Sequence, residues 1–251
     1  MSRMSQTAHL AAANLWCWSA LIVISAAALV AAPLWLTAGR LRGWSWTRGA
    51  REGTWLYSRL YLAVIRPFVK TEVINPGLGA EHSPAILTVN HQSWLDLYLM
   101  AAQRMRDICI LVRAWPFRRL FFFGPFMRLA GYVETEGAEV DDILRQCRRE
   151  IENGAAILCY PEGTRSRDGT LGRFHSGVFK LAVELDRPII PVVVRHSGRI
   201  MPKGSFIFRP GCIKIELQPP VHPGEFAGET IPHGALRRFV RRRFQSALSN
   251  D

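Results

Sequence analysis

The chain has 251 residues, of which 49% are hydrophobic and 21% are charged. This length and composition suffice for one domain with a buried core plus an appendage, and they exclude a disordered, collagen-like or low-complexity chain. Lys and Arg number 32 against 20 Asp and Glu, so the formal net charge is +12. Such a charge indicates an anionic partner: nucleic acid, a phospholipid surface or a phosphorylated small molecule.

A long uncharged stretch lies near the N terminus. Residues 10–39 contain no Asp, Glu, Lys, Arg or His, and Trp16, Trp18 and Trp35 stand near the ends of this stretch. A bilayer core requires about 20 apolar residues in helical form, so we expect a membrane helix over about residues 12–37. The alternative is a cleaved signal peptide, whose apolar region is usually shorter and follows a basic start.

Arginines follow this stretch at once and are nearly absent before it, which predicts that the rest of the chain lies in the cytoplasm. Aromatic and basic residues then alternate, and residues 53–68 are predicted to form a second helix lying in the membrane interface. An ordinary helix with one face in the core is an equal alternative. Together, residues 1–69 are predicted to form a membrane anchor. The arginines concerned are Arg40, Arg42, Arg48 and Arg51, against Arg3 alone on the other side.

The five cysteines are scattered, and no two of them are separated by only two residues. This pattern favours reduced thiols in a cytosolic domain and argues against a zinc site.

Short apolar runs of strand length alternate with helical patterns after residue 84. Helical spacing of apolar residues occurs at 141–152 and 176–185, between the predicted strands. The alternation predicts an α/β fold with a mixed, largely parallel sheet covered by helices, over residues 70–222. Such sheets bind ligands at the carboxyl ends of their strands. The predicted strands are 85–89, 108–112, 155–160, 189–194 and 212–217.

His91 and Asp96 follow the first of these strands. The two residues would not share a face of a continuous helix, but they can meet if His91 lies in the loop and Asp96 in the first helical turn. Ser93 as N-cap with Asp96 three residues later would produce this geometry. In the simplest alternative Asp96 only caps the helix. In the functional interpretation, the carboxylate orients a neutral imidazole that accepts a proton from a hydroxyl group.

A second group of polar residues, Glu162, Gly163, Thr164 and Arg165, follows the strand at 155–160. Glycine lets backbone amides approach a ligand closely, Arg165 offers a bidentate fork for phosphate, and Glu162 can accept a hydrogen bond from a hydroxyl. Arg167 and Arg173 extend the positive charge and are expected to be solvated surface residues.

These groups, together with the Pro-Ile-Ile-Pro-Val run at 188–192, occur in the order and spacing of a known family. Over roughly residues 70–220 the chain resembles the glycerolipid acyltransferases of the lysophosphatidic acid acyltransferase family. The resemblance implies that an acyl group is transferred from acyl-CoA or acyl carrier protein to the hydroxyl of a lyso-lipid in phospholipid biosynthesis. It implies neither a cofactor nor a metal. The chain also lacks the Gly-x-Ser-x-Gly pattern of a serine nucleophile.

The resemblance further assigns roles to individual residues. His91 would be the general base and Asp96 its orienting partner. Pro191 would shape the wall of the site, although a plain buried strand explains it equally well. Arg113, after the strand at 108–112, stands where family members often have a basic residue facing the substrate. The residues implied to hold the glycerol and phosphate of the acceptor are Glu162, Gly163, Thr164 and Arg165.

One segment departs from the family pattern. Family members commonly carry an arginine for the acceptor phosphate after a glycine and an apolar–aromatic strand. Here residues 131–137 contain Glu134 and Glu136 and no arginine, and acidic groups near a phosphate site would repel the phosphate. The acceptor could therefore be a zwitterionic lyso-lipid or a lyso-aminolipid instead of lysophosphatidic acid, with Arg128 as a substitute for the missing charge.

Residues 223–251 end in a basic segment with apolar residues at helical spacing. We expect this segment to form a helix beside anionic lipid headgroups, and a nucleic-acid patch is the less favoured alternative. The dominance of Arg over Lys suggests a bacterial inner-membrane protein. A non-catalytic, membrane-anchored binder of anionic lipid is the contrasting hypothesis to an acyltransferase.

Overall fold

The computed structural model describes residues 3–102, 104–114, 116 and 124–249. In this part of the chain the strands form one seven-stranded sheet in the order β1-β7-β6-β2-β5-β3-β4. All neighbouring strands are parallel except β6 and β7. The strands are β1 Val69–Ile74, β2 Ile86–Val89, β3 Ile108–Val112, β4 Val133–Glu134, β5 Ala156–Cys159, β6 Ile189–Arg195 and β7 Gly211–Leu217. The predicted mixed, largely parallel sheet is confirmed.

Helices cover both faces of the sheet. One core lies under α1, α2 and α4, and the other lies under α6, α7 and α9. The helices are α1 Arg3–Leu41, α2 Trp46–Ile65, α3 Leu78–Glu81, α4 Asp96–Leu99, α5 Gly124–Leu129, α6 Val140–Glu152, α7 Gly177–Leu185, α8 Ser197–Ile200 and α9 Pro232–Ser249. Strands β2, β5 and β6 are buried along their whole length, so both core layers meet at the centre of the sheet.

Helix α1 is longer than the predicted span of 12–37. Among the described residues it is the one helix long and apolar enough to cross a membrane, judged by length and composition. Its first half packs against the domain, because Asn14 pairs with both the carbonyl and the N–H of Phe208 and the Trp18 indole donates to Phe206 O. Residues 14–18 of the predicted span therefore lie beside the domain, whereas Val30 and Leu34 are exposed.

Helix α2 begins at Trp46, earlier than the predicted residue 53, because the Ser45 side chain accepts from Arg48 N and caps the helix there. Its buried face places Tyr61 and Ile65 in the first core. Its other face leaves Leu56 and Leu60 about half exposed, so α2 has both a core-facing side and an apolar outer side.

Helix α9 is packed on the sheet as part of the second core. Leu236, Val240 and Phe244 are fully buried there. The basic C-terminal segment is thus integrated with the domain, and its arginines occupy the remaining faces of a helix that is held in place by packing.

Candidate active site

His91 leaves the sheet at the carboxyl end of β2. The preceding residue, Asn90, is buried and replaces the strand ladder at this point: its side chain donates to Val194 O at 2.8 Å and accepts from Val194 N at 2.7 Å. Asn90 thereby ends the pairing of β2 with β6 and satisfies both backbone groups of Val194, so the chain can turn out of the sheet with His91 at its edge.

The carboxylate of Asp96 holds the imidazole of His91. A single oxygen, Asp96 Oδ2, accepts from His91 Nδ1 at 2.8 Å, Gln92 N at 2.7 Å and Ser93 N at 2.8 Å. Asp96 is fully buried and is the first residue of α4, whose N-cap is Leu95 and not the predicted Ser93. The predicted meeting of His91 and Asp96 is therefore present, and the same carboxylate also closes the turn that precedes the helix.

This contact decides which nitrogen of His91 is available. A carboxylate only accepts hydrogen bonds, so the proton of a neutral imidazole lies on Nδ1 and Nε2 keeps its lone pair. The side chain of His91 is 16% exposed. One face of its ring stacks on Tyr160, with 4.1 Å between ring centroids. Burial, together with the nearby Asp96, raises the pKa of Tyr160 well above its ordinary value, so this ring remains a neutral phenol.

The turn after β5 is hydrogen-bonded to the backbone of His91. Glu162 Oε1 accepts from His91 N at 2.9 Å, and Ser166 N donates to His91 O at 2.8 Å. The other oxygen, Glu162 Oε2, accepts from Gly172 N at 2.7 Å. Each carboxylate oxygen is thus engaged with a backbone N–H group, which gives Glu162 a positioning role in addition to the predicted contact with a substrate hydroxyl.

Glu162 is only 7% exposed. Burial raises the pKa of its carboxyl above the ordinary value, and the two N–H groups whose hydrogen bonds it accepts partly oppose this shift. Keeping the buried carboxylate ionised therefore costs free energy. The hydrogen bonds that it accepts offset part of this cost.

Gly163 adopts a φ of +68°, and a Cβ at this position would lie 3.3 Å from the His175 ring. Both the left-handed backbone and the close ring favour glycine here. The following residues, Thr164 and Arg165, line a cavity of about 300 Å³ that also contacts Glu162. Burial lowers the pKa of the Arg165 guanidinium, and the nearby Asp96 opposes this shift.

Lys203 belongs to the same site, although nothing in the sequence indicated it. Its Nζ donates to Thr164 Oγ1 and to Arg165 O, both at 2.9 Å. The contact bridges 39 residues of sequence, and a lone lysine between α8 and β7 carries no spacing signal. It adds a cation beside Arg165.

Two predicted site residues lie apart from this cluster. Arg113 follows β3 and forms an ion pair with Glu136, which also accepts from Ala114 N at 2.9 Å. Pro191 lies inside β6, buried and opposite Thr88. In the described part of the chain no hydrogen bond or ion pair joins either residue to His91 or Asp96, so their substrate roles stay predictions.

The described residues include no group of three or more His, Cys, Asp or Glu side chains that could hold a metal ion. The cysteines in this part of the chain are free. Burial raises the pKa of Cys109 and of Cys147 to about 12, so both remain protonated thiols at neutral pH.

Comparisons with known proteins show the family to which the chain belongs. A family model described as Acyltransferase matches residues 69–195. The chain is 31% identical over 171 residues to the chloroplastic 1-acyl-sn-glycerol-3-phosphate acyltransferase BAT2 of Brassica napus, covering 63% of this chain and 47% of the relative. It is 30% identical over 163 residues to the chloroplastic 1-acyl-sn-glycerol-3-phosphate acyltransferase LPAT1 of Arabidopsis thaliana, covering 63% and 45%. The chain thus spans about half the length of these curated relatives.

A solved structure has the same fold. The crystal structure of the 1-acyl-sn-glycerophosphate acyltransferase PlsC from Thermotoga maritima matches with a TM-score of 0.74 at 21% sequence identity, covering 98% of this chain and 97% of that one. The match includes the N-terminal helices as well as the sheet.

Proposed function

The chain belongs to the glycerolipid acyltransferase family, and from this premise we propose that it transfers an acyl group from a thioester donor to the hydroxyl of a lyso-lipid. The donor is acyl-CoA or acyl carrier protein. The observation that carries the proposal is the position of His91. Its imidazole is held through Nδ1 by the buried Asp96, and its backbone is hydrogen-bonded to the Glu162–Ser166 turn.

The proposed reaction needs one base and no covalent enzyme intermediate. His91 Nε2 takes the proton of the acceptor hydroxyl as its oxygen attacks the thioester carbonyl carbon. The carboxylate of Asp96 stabilises the imidazolium that forms. As the carbon–sulfur bond breaks, the imidazolium returns the proton to the leaving thiolate. The products are an ester and a free thiol, and His91 is again neutral.

We assign the acceptor as a 1-acyl-sn-glycerol-3-phosphate, the compound in the names of the relatives. Arg165 lines the cavity that also contacts Glu162, and Lys203 donates to Arg165 O, so these two cations can take the phosphate of the acceptor. The acidic segment at residues 131–137 repels a phosphate less than the sequence predicts, because the ion pair with Arg113 neutralises the charge of Glu136.

A second acceptor class is favoured by the same ion pair. Because Glu136 neutralises the charge of Arg113, one cation fewer is available to bind a phosphate. A lyso-lipid with a zwitterionic headgroup, or a lyso-aminolipid, needs less positive charge and is the alternative acceptor.

Membrane association is part of the proposal. The apolar length of α1 and the exposed side chains of its second half, such as Val30 and Leu34, suit a lipid surface. A membrane location also places the site where a lyso-lipid resides. The bacterial inner membrane remains a prediction of the sequence, since the two relatives compared above come from plants.

The decisive experiment measures transfer of labelled acyl groups by the detergent-purified protein. The panel contains lysophosphatidic acid, zwitterionic lysophospholipids and lyso-aminolipids, each with CoA and carrier-protein donors. We expect His91→Ala to lower turnover by about 10²- to 10⁴-fold, the usual contribution of a general base. The matched control is His82→Ala, since His82 ends α3 and binds Leu78 O. Equal transfer by the parent and His91→Ala would refute the assignment of His91 as the general base. If the protein transfers no acyl group from any donor, the result would favour a non-catalytic lipid binder.

A further inference from the structure

A second cavity, of about 340 Å³, lies directly beside the one that contains Arg165. Its walls are residues 171–174, from the loop before α7, and three arginines of α9: Arg237, Arg238 and Arg241. We call it the arginine cavity. It shares Gly172 and Arg173 with the cavity at Thr164 and Arg165, so the two form one continuous depression.

The arginine cavity concentrates positive charge. Four guanidinium groups line it, from Arg173 and from the three α9 arginines. Within the described ranges none of these four forms an ion pair, although other arginines of the domain, such as Arg195, do so. Its floor includes the fully buried ring of Phe174. A concave site with four uncompensated guanidinium groups favours a ligand with several negative charges.

The cavity is also coupled to the catalytic histidine. Arg241 Nε donates to Gly172 O at 3.3 Å, and the N–H of the same Gly172 donates to Glu162 Oε2 at 2.7 Å. The second oxygen of Glu162 accepts from His91 N. A ligand that orders the wall of the arginine cavity therefore also restrains, through Gly172 and Glu162, the segment that holds His91.

We propose that the arginine cavity binds the nucleotide phosphates of an acyl-CoA donor, an inference that rests on the proposed acyl transfer. The two substrates of that reaction need separate anion sites, and the two adjoining parts of this depression supply them. Arg165 of the first cavity, together with the Lys203 side chain that contacts it, serves the acceptor phosphate. Coenzyme A carries a pyrophosphate and a 3′-phosphate at the end remote from its thioester, and planar arginine forks match such phosphates. The concave shape favours a nucleotide over the convex surface of a carrier protein.

The first test is equilibrium binding of adenosine 3′,5′-bisphosphate to the full-length protein in a neutral detergent. We expect the double variant Arg237→Gln/Arg238→Gln to bind this probe at least about tenfold more weakly than the parent. The matched control is Arg242→Gln, an exposed arginine of the same helix that does not line the cavity. His91→Ala should bind as the parent does. Equal binding by the double variant and Arg242→Gln, or no binding by the parent, would overturn the proposal.

The probe glycerol 3-phosphate, which represents the acceptor headgroup, separates the two anion sites. Its affinity should be unchanged in the double variant. A double variant that loses glycerol 3-phosphate and keeps the nucleotide would show that the arginine cavity serves the acceptor, and would overturn the assignment.

Kinetics provide the second test. The double variant should raise KM for acyl-CoA by about tenfold with kcat unchanged, and it should leave KM for an acyl-pantetheine, which lacks the nucleotide, as in the parent. An equal rise for both donors, or a parent that accepts only acyl carrier protein, would overturn the proposal. Arginine-dependent nucleotide binding without acyl transfer from any donor would instead contradict the proposed function and leave the nucleotide site supported.

Discussion

Asp96 uses one oxygen atom for two purposes, since Oδ2 accepts both the His91 imidazole and the N–H groups of Gln92 and Ser93. An amide at this position keeps a carbonyl oxygen for these donors but loses the charge that stabilises an imidazolium. The other oxygen, Oδ1, is buried without a partner in the described residues, so the added NH₂ group would also be unsatisfied.

We therefore expect Asp96→Asn to lower kcat by about 10²- to 10⁴-fold while costing about 1–3 kcal/mol of stability. Transfer assays and circular dichroism of the detergent-purified variant measure both quantities. The control is Asp141→Asn in the first turn of α6, an exposed carboxylate remote from His91 in sequence. Parent-like transfer by Asp96→Asn would mean that Asp96 only closes the turn.

Glu162 gives a prediction for pH. Burial raises the pKa of its carboxyl in the folded state above the unfolded value, so the folded protein binds this proton more readily than the unfolded chain. The contribution of Glu162 to stability is thus greatest below its ordinary pKa and is lost as pH rises through the raised pKa. Relative to Glu162→Gln, the parent should gain stability as pH falls through this window.

Unfolding midpoints of the two proteins between neutral and acidic pH measure this difference. The exposed Glu184 of α7, changed to Gln, is the control and should show no comparable trend. Because the amide that replaces the Glu162 carboxylate has a single acceptor oxygen and cannot reach both His91 N and Gly172 N, we also expect about tenfold slower transfer at neutral pH. A pH-independent stability difference would refute the burial argument.

At the scale of elements, Arg51 joins α2 to the domain. Its side chain is 2% exposed and reaches Asp107 before β3 at 3.0 Å, Glu150 of α6 at 2.8 Å and Ala130 O after α5 at 2.7 Å. One guanidinium therefore connects four segments, and removing it leaves two partly buried carboxylates without their counter-ion.

Arg51→Met should destabilise the protein by about 3 kcal/mol, which corresponds to roughly 6 °C or more in the unfolding midpoint of a domain of this size. Thermal unfolding in detergent measures this loss. Arg59→Met is the control, because Arg59 lies on the exposed side of α2, where it stacks on Trp55. If both variants unfold at the same temperature, the contacts of Arg51 with Asp107, Glu150 and Ala130 do not hold α2 to the domain.

For the whole molecule, the exposed side chains of α1 are predicted to decide membrane association. Ile22 and Leu29 are 66% and 63% exposed. An arginine near the centre of a membrane-embedded helix costs about 3 kcal/mol. Ile22→Arg/Leu29→Arg should therefore reduce flotation of the protein with lipid vesicles by at least about tenfold. Val140→Arg, an exposed apolar position at the start of α6, should float as the parent does. Unchanged flotation of the α1 variant would mean that α1 is not the anchor.

The parts of the fold that the sequence predicted are those with local patterns. Strands such as β2, β5 and β6 are continuous apolar runs, and α6 and α7 show helical spacing. The edge strand β1 was not predicted, because among its residues only Val69 is fully buried. The start of α2 lies seven residues before the predicted one, at Trp46 instead of residue 53, since a single serine cap sets it.

The sequence by itself indicated the reaction class through its resemblance to a known family, because the short blocks around His91–Asp96 and Glu162–Arg165 occur in that family's order and spacing. Tertiary structure decided what surrounds them. Lys203 reaches Thr164 across 39 residues, and the arginines of α9 meet Arg173 only because α9 buries Phe244 against the sheet. Contacts between distant segments depend on how whole helices and strands pack against one another. That packing buries apolar surface contributed by the entire chain, so a local sequence pattern does not reveal which distant residues will meet.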